Sequence, residues 1–322
     1  MKIEGRITEL QRIQTDLYSL DVALSSKTAL GIPAPAIVEV TGRQGVGKST
    51  LCYHLASQLN PTGRIIMCDF EGIDIAYVRN AFEQEGFEGT LKIIEAMDSK
   101  GKLRSHEDML NEITDEFLNP EVSAGIIDSI GAISPIFEVE NDIEGGFGAK
   151  RASIVARFIR RFGKILYGME QPRHLFVTNH IHEIIGGRGH QSAGGRGLEH
   201  AKIVSLYLYT SSAESIKSGD EVIADVVVGK CEKLRYGGKG RTFKFVTVPG
   251  YGVRTNLSAL IDAVELGIVT RSAVVKIGDK SLGYISKLVE SDLAGDDEAF
   301  TEIHEALKAR RDEFSKSELA SA

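Results

Sequence analysis

The segment from residue 42 to residue 49 constrains the fold of this 322-residue chain more than any other. It fits the pattern GxxxxGK[ST], follows the apolar run Ala36–Thr41 and precedes residues at helical spacing. A glycine-rich turn between a strand and a helix directs backbone N–H groups at phosphate oxygens, where the helix dipole also favours anions. We therefore predict a phosphate-binding loop, extended by one residue into the helix. Its members are Gly42, Arg43, Gln44, Gly45, Val46, Gly47, Lys48, Ser49 and Thr50.

A nucleotide site of this kind needs ligands for a metal ion. The pattern assigns Lys48 to the β- and γ-phosphates and the Ser49 hydroxyl to Mg²⁺. Asp128 lies within the apolar run Ala124–Ile130, where an open α/β sheet places its ligands. We predict that Ser49 and Asp128 hold Mg²⁺ beside the phosphates of a bound nucleotide.

Two further polar residues follow buried runs and are candidates for hydrolysis. Glu71 comes directly after Arg64–Phe70 and is our candidate base for the attacking water, the alternative being a solvated loop carboxylate. His180 ends the run His174–His180 and should reach the γ-phosphate side. A lone histidine in such a place is more often a hydrogen-bonded structural residue.

Seven β-branched apolar runs between residues 36 and 250 predict the sheet. The first four are continuous and separated by spacers of helical periodicity, as expected for parallel strands covered on both faces. The last three follow at short spacing and predict antiparallel strands that extend the sheet. The runs are Ala36–Thr41, Arg64–Phe70, Ala124–Ile130, His174–His180, Ile203–Thr210, Asp225–Leu234 and Thr242–Val248. This is the pattern of an α/β core.

The sequence pattern changes after about residue 254, from apolar runs to segments of mixed charge. Mixed-charge segments at helical spacing follow, which predict a small helical C-terminal domain over 255–322. We divide the chain into a short N-terminal segment, 1–14, which could contact another subunit, a core, 15–254, and this domain. No run approaches the length of a membrane-spanning helix, and the N-terminus lacks a secretory apolar run, so we expect a cytoplasmic protein without a membrane partner.

The net charge of −7 conceals two basic stretches. Residues 149–182 contain seven Lys or Arg against one Glu, and residues 230–244 contain six against one. The remainder is therefore strongly acidic, and a polyanionic partner is not excluded by the overall sign.

These motifs, in this order, resemble those of the RecA family of homologous-recombination ATPases, nearest to the phage UvsX-like branch. Asp69-Phe70-Glu71 resembles the element with the family's catalytic glutamate, and Tyr77 falls near its adenine-stacking aromatic. Asp128-Ser129 is similar to the second metal-binding motif, and Asn179-His180 to the γ-phosphate sensor. The resemblance implies a P-loop RecA-type core and a bacteriophage strand-exchange protein that hydrolyses ATP with Mg²⁺ on DNA.

The resemblance also implies two DNA-binding loops, 134–148 and 182–197. Their glycines and cations would face phosphates, and their apolar residues would stack on bases of single-stranded and double-stranded DNA. The alternative is a pair of flexible surface linkers. The expected contacts are Phe147, Lys150, Arg151, Ile185, Gly186, Gly187, Arg188, Gly194, Gly195 and Arg196.

Lys233 and Arg235 resemble the two basic residues that reach a neighbouring subunit's γ-phosphate in this family. The competing interpretation is a basic hairpin that touches DNA.

Few residues precede Thr15, so we leave open whether the chain forms a helical filament or a ring. Two alternatives to a recombinase remain, a ring-forming helicase-like motor and a nucleotide-dependent DNA-binding scaffold without strand exchange.

Overall fold

The computed structural model describes residues 11–26, 29–59, 61–98, 100–134, 148–183, 190–192, 195–210, 215–235, 237–272 and 274–320. The helices are α1 (Tyr18–Ala23), α2 (Lys48–Leu59), α3 (Ile75–Gln84), α4 (His106–Glu116), α5 (Gly148–Gly168), α6 (Gly195–Ala201), α7 (Thr255–Glu265), α8 (Ile285–Leu293) and α9 (Thr301–Ala320). Within these ranges, no helix combines the length and the apolar character that crossing a bilayer requires.

Sixteen strands accompany these helices in the described ranges. In the first half of the chain they are β1 (Gln11–Ile13), β2 (Ile32–Ala34), β3 (Ala36–Gly42), β4 (Arg64–Asp69), β5 (Thr90–Ile94), β6 (Val122–Asp128), β7 (His174–Glu183) and β8 (His190–Ser192). In the second half they are β9 (Val204–Thr210), β10 (Ile216–Ser218), β11 (Glu221–Leu234), β12 (Thr242–Val248), β13 (Gly252–Val253), β14 (Val269–Arg271), β15 (Val275–Ile277) and β16 (Lys280–Gly283).

The main sheet has the order β13-β12-β11-β9-β3-β7-β6-β4-β5. The strands from β9 to β5 pair in parallel, and β11, β12 and β13 extend the sheet by antiparallel pairing. The predicted α/β architecture is therefore confirmed. The sequence interpretation missed β5, the edge strand of the sheet, whose apolar residues Leu91, Ile93 and Ile94 are interrupted by Lys92.

Helices cover both faces of the parallel strands because successive side chains point to opposite faces. On β4, Ile65 packs in the cluster that contains α2 and α3, whereas Ile66 packs in the cluster that contains α4 and α5. Because both faces of these strands are apolar, their sequences are continuous apolar runs rather than alternating apolar and polar residues.

The C-terminal residues pack on the antiparallel part of the sheet. Val226 and Val246 share an apolar cluster with Leu260 of α7 and Phe300, so residues on both sides of position 254 belong to one cluster. The region predicted as a small helical C-terminal domain also contains strands, since β14, β15 and β16 form a three-stranded sheet. These strands are too short to show a period, but Gly278-Asp279 between two of them is a two-residue hairpin signal. The division of the chain into separate domains stays a prediction.

A buried ion pair involves β3, the strand that leads into the phosphate-binding loop. Glu39 of β3 is fully buried, and one of its carboxylate oxygens lies 2.5 Å from Nζ of Lys202, which follows α6. The Ser205 hydroxyl donates to the same oxygen at 3.0 Å, and the Asn179 amide donates to the other at 2.8 Å. Burial lowers the pKa of Lys202, but the charge of Glu39 and bonds to Glu39 and Glu199 outweigh it and raise the pKa above its usual value. The pair joins β3, β7 and the end of α6.

Lys202→Met should lower the free energy of unfolding by about 3–5 kcal/mol, because it leaves the Glu39 carboxylate buried without its cation. Urea unfolding followed by far-UV circular dichroism measures this change. Lys287→Met is the matched control, since Lys287 forms an exposed ion pair with Glu290 and should change stability by less than about 1 kcal/mol. Equal midpoints for the two variants would contradict a structural role for the buried pair.

Candidate active site

The loop between β3 and α2 has the backbone shape that its glycines permit. Gly42 has φ +153° and Gly47 has φ +90°, and a Cβ on Gly42 would lie 2.6 Å from the carbonyl oxygen of Leu208. The loop therefore requires glycine at position 42 for space as well as for conformation. Lys48 opens α2, is 7% exposed, and donates from Nζ to the carbonyl oxygen of Arg43 at 2.9 Å.

A cleft of about 350 Å³ lies next to this loop. Most of the predicted nucleotide and catalytic residues line it, although they come from four different strands or the segments after them. These residues are Gln44, Gly45, Val46, Gly47, Lys48, Ser49, Thr50, Glu71, Tyr77, Asp128 and His180. Gly42 and the exposed Arg43 complete the loop without lining the cleft.

Asp128 receives hydroxyl donors on both sides of its carboxylate. Tyr53 donates at 3.2 Å, Thr178 donates to the other oxygen, and Ser49 is also hydrogen bonded. Burial raises the pKa of Asp128 above its usual value, the Glu71 charge adds to this, and the three hydroxyls oppose it. A serine hydroxyl beside a carboxylate is an oxygen donor set that fits Mg²⁺, which keeps several waters and phosphate oxygens in its shell. Among the described residues no group of three His, Cys, Asp or Glu side chains could bind a metal, so such an ion would depend on those additional oxygens.

Glu71 is held at one carboxylate oxygen by two donors. The Ser129 hydroxyl donates to Oε1, and Nε2 of His180 lies 2.8 Å from the same atom. Burial raises the pKa of Glu71, but these bonds and the charge of Lys48 outweigh it, so the pKa lies below its usual value. The carboxylate is therefore ionised at neutral pH, and Glu71 lines the cleft. A solvated loop carboxylate, which is the alternative interpretation, would not need these two hydrogen bonds.

Lys48 completes the charge balance of the cleft. Burial lowers its pKa below the usual value, while the carboxylates of Glu71 and Asp128 act in the opposite direction. The Lys48 side chain therefore interacts electrostatically with two carboxylates. The cleft can therefore attract a phosphate group to Lys48 and keep a carboxylate near it for work on a water molecule.

Asp69 is a site residue that the sequence interpretation did not select. Its carboxylate accepts hydrogen bonds from the backbone N–H groups of Glu71 and Gly72, both at 2.9 Å, and of Ile73 at 2.7 Å. Aspartate directly before a glycine-containing turn commonly bonds to the backbone two residues on, so Asp69-Phe70-Glu71-Gly72 contained the signal. The three bonds shape the turn that carries Glu71.

Asp69→Ala should lower kcat for nucleotide hydrolysis by at least tenfold, with little change in nucleotide affinity. The reason is that the turn that presents Glu71 loses the three hydrogen bonds from its backbone N–H groups to the Asp69 carboxylate. Steady-state turnover and fluorescent-nucleotide titration separate the two effects. Asp98→Ala is the control, since Asp98 likewise accepts from the N–H groups of Lys100 and Lys102, in a turn that does not line the cleft. A similar loss in both variants would show that the effect is general destabilisation.

Lys233 and Arg235 do not line the cleft of their own chain. They donate to the carbonyl oxygens of Glu199 and His200, respectively, at the C-terminal end of α6. Burial lowers the pKa of Lys233, and the nearby Glu199 opposes this shift. Cations at a helix C-terminus satisfy free carbonyls and interact favourably with the helix dipole.

The predicted DNA-binding residues are described only in part. Phe147, Ile185, Gly186, Gly187, Arg188 and Gly194 lie outside the described residues. The backbone of Lys150 lies in the first turn of α5, and Arg151 donates to the carbonyl oxygen of Gly131 at 3.4 Å. Gly195 and the exposed Arg196 open α6, at the end of the second predicted loop.

Helix α5, which begins where the first predicted loop ends, packs against α6, whose first residues belong to the second predicted loop. A Cβ on Gly197 of α6 would lie 2.6 Å from Cβ of Ala156 in α5, a distance that real side chains do not reach. The close approach therefore requires glycine at position 197. It brings the start of α6 against α5, so the described residues at the C-terminal ends of the two predicted DNA-binding loops belong to two helices in contact.

The parallel sheet, the glycine-rich loop at its carboxyl edge and the Lys48, Ser49 and Asp128 constellation define a P-loop nucleotide hydrolase. The sequence profile of the RecA N-terminal domain family matches residues 1–246, and the chain belongs to the RecA family. It is an ATP-hydrolysing DNA recombinase of that family.

The chain is similar to bacterial RecA proteins over most of its length. It is 26% identical over 296 residues to protein RecA of Acholeplasma laidlawii, covering 87% of this chain and 81% of the relative. It is 24% identical over 324 residues to protein RecA of Sulfurimonas denitrificans, covering 95% and 86%. For protein RecA of Wolinella succinogenes the identity is 24% over 294 residues, covering 87% and 77%. A closer relation to the phage UvsX branch stays a prediction.

Proposed function

We propose that the protein assembles on single-stranded DNA with ATP and Mg²⁺ and exchanges strands with double-stranded DNA in the cytoplasm. One observation carries the proposal. Lys48, Ser49, Glu71, Asp128 and His180 converge in one cleft, and the second predicted DNA-binding loop begins two residues after His180. ATP chemistry and DNA contact therefore share strand β7.

The cleft supports hydrolysis by an activated water. Lys48 and the loop N–H groups hold the β- and γ-phosphates, and Mg²⁺ held by Ser49 and Asp128 would neutralise charge on the phosphate oxygens. Glu71 accepts a hydrogen bond from the water that attacks the γ-phosphorus in line with the bond to ADP. The phosphorus–oxygen bond to ADP breaks, and the water proton passes to Glu71.

His180 can connect the γ-phosphate to the DNA-binding loop. Its Nε2 is bonded to Glu71 and lies in the same cleft as Lys48. An anionic phosphate oxygen competes with the Glu71 carboxylate for this nitrogen. A change of partner at His180 would shift the end of β7, from which the second predicted loop continues.

The test of the proposed function is electron microscopy with single-stranded DNA and a non-hydrolysable ATP analogue, together with turnover measured with and without the DNA. We expect helical filaments, ATP hydrolysis that rises when DNA is added, and strand exchange between a single strand and a homologous duplex. Closed rings without strand exchange would support the helicase-like motor. Assembly without any turnover would support the DNA-binding scaffold.

Lys233 and Arg235 are proposed to act on the γ-phosphate of a neighbouring subunit. Their separation from the cleft of their own chain supports this assignment, since they cannot serve that cleft in the geometry described. A cation that stabilises the transferring phosphoryl group from a second subunit raises turnover by about 10³–10⁵-fold in other P-loop enzymes. Hydrolysis would then depend on assembly.

Mixing two inactive variants separates action in trans from action in cis. Lys233→Ala keeps an intact cleft, and Glu71→Gln keeps an intact Lys233, so each alone should have little DNA-stimulated ATPase activity. If Lys233 acts in trans, mixed assemblies contain competent junctions, and activity should reappear as the second variant is titrated into the first. Activity that stays at the level of the separate variants, in assemblies shown by microscopy to form, would place Lys233 in cis or on DNA. Lys230→Ala, an exposed lysine of the same strand, is the control.

A further inference from the structure

One wall of the nucleotide cleft is the short connection between β12 and β13. Pro249, Gly250 and Gly252 line the cleft together with Tyr77 and Ile73 from the segment around the start of α3. These five residues differ from the phosphate-binding end because none of them has a charged side chain, although Asp225 of β11, paired with Thr247 of β12, also lines the cleft. Such a surface suits a flat, largely apolar group rather than a phosphate.

Helix α3 holds this wall by two hydrogen bonds. The Asn80 side-chain amide donates to the carbonyl oxygen of Gly250 at 2.7 Å. Oε1 of Glu85, which caps the end of the helix, accepts from the backbone N–H of Val253 at 3.2 Å. Gly250 has φ +81° and Gly252 has φ +73°. Because glycine adopts many backbone conformations with similar ease, the connection does not fix its own shape and depends on the hydrogen bonds from α3.

The second oxygen of Glu85 is bonded to a histidine of α2. Nδ1 of His54 lies 2.5 Å from Oε2 of Glu85, and Nε2 lies 2.9 Å from Oδ1 of Asp16. His54 is fully buried. Burial lowers its pKa, but the two carboxylates outweigh this and raise the pKa to about 10, so His54 is a cation at neutral pH. The helix that begins with Lys48 therefore also orients the carboxylate that supports the wall.

We propose that Asn80 and Glu85 are positioning residues that fix residues 249–253 as the wall contacting the base and ribose end of ATP. Asn80 holds the wall by its hydrogen bond to the Gly250 carbonyl oxygen, and Glu85 holds it by accepting from the Val253 N–H. The hydrogen bond with His54 orients the Glu85 carboxylate for this contact. The inference rests on the proposed function in one respect, because it requires ATP to bind in this cleft with its phosphates at Lys48. Neither residue belongs to the motifs from which the nucleotide site was predicted.

Substitutions at Asn80 test the proposal with little risk to folding, because the residue is half-buried and near the helix surface. Asn80→Asp keeps the size of the side chain but cannot donate to the Gly250 carbonyl oxygen, and Asn80→Ala removes the group. Both should raise KM for ATP about fivefold, which corresponds to the loss of one hydrogen bond, with kcat at saturating ATP unchanged. Arg79→Ala, at the exposed neighbouring position, should leave KM unchanged.

Inorganic tripolyphosphate provides the second measurement because it carries the phosphate chain without base or ribose. Its inhibition constant against ATP hydrolysis should be the same in wild type and in both Asn80 variants. A parallel loss of tripolyphosphate and ATP affinity would overturn the proposal, since it would show damage to the phosphate-binding loop. An unchanged KM for ATP in both variants would also overturn it, while leaving the nucleotide site itself intact. A wild-type protein that binds neither compound would contradict the proposed function as well.

Discussion

The parallel register of the central strands is the constraint on which the site depends. Gly42 of β3 is opposite His180 of β7, and Asp69 of β4 is opposite Asp128 of β6. Because parallel strands end at the same edge, residues separated by more than a hundred positions in the chain meet in one cleft. A slip of one residue in a single strand would move its side chains to the other face, and the cleft would lose one of the residues predicted to bind phosphate, bind the metal or activate water. The two apolar faces, each covered by helices, oppose such a slip.

Much of this arrangement could be predicted from the sequence because its signals are local. The loop at 42–49 is a contiguous pattern, and Glu71, Asp128 and His180 each lie at or near the end of an apolar run. The parts that could not be predicted depend on contacts across the chain. Asp69 could have been selected from the turn that it begins, but its effect on Glu71 is visible only when the three backbone N–H groups converge on one carboxylate.

Buried charges illustrate the same limit. Nothing near Glu39 indicates that its cation lies 163 residues later, at Lys202, or that His54 is paired with two carboxylates from different segments. A charged residue within an apolar strand or helix usually indicates an exposed position, so the local sequence around Glu39 and His54 predicts exposure where the fold buries them. Once paired, Glu39 ties the strand before the phosphate-binding loop to the residue that follows α6, and His54 ties the helix after that loop to Glu85 at the end of α3. The residues that perform chemistry were easier to find than those that hold them in place.

The contacts of Lys233 and Arg235 with the end of α6 have a consequence for communication along an assembly. A seven-residue helix has too few internal hydrogen bonds to be stable alone, and two of its terminal carbonyls are satisfied by these cations. If the two cations move to a neighbour's phosphate as proposed, they remove that support. The helix that ends the second predicted DNA-binding loop would then be less stable. One pair of side chains would thus link a neighbour's nucleotide state to the predicted DNA-binding loop, through carbonyl groups that lose their hydrogen-bond donors.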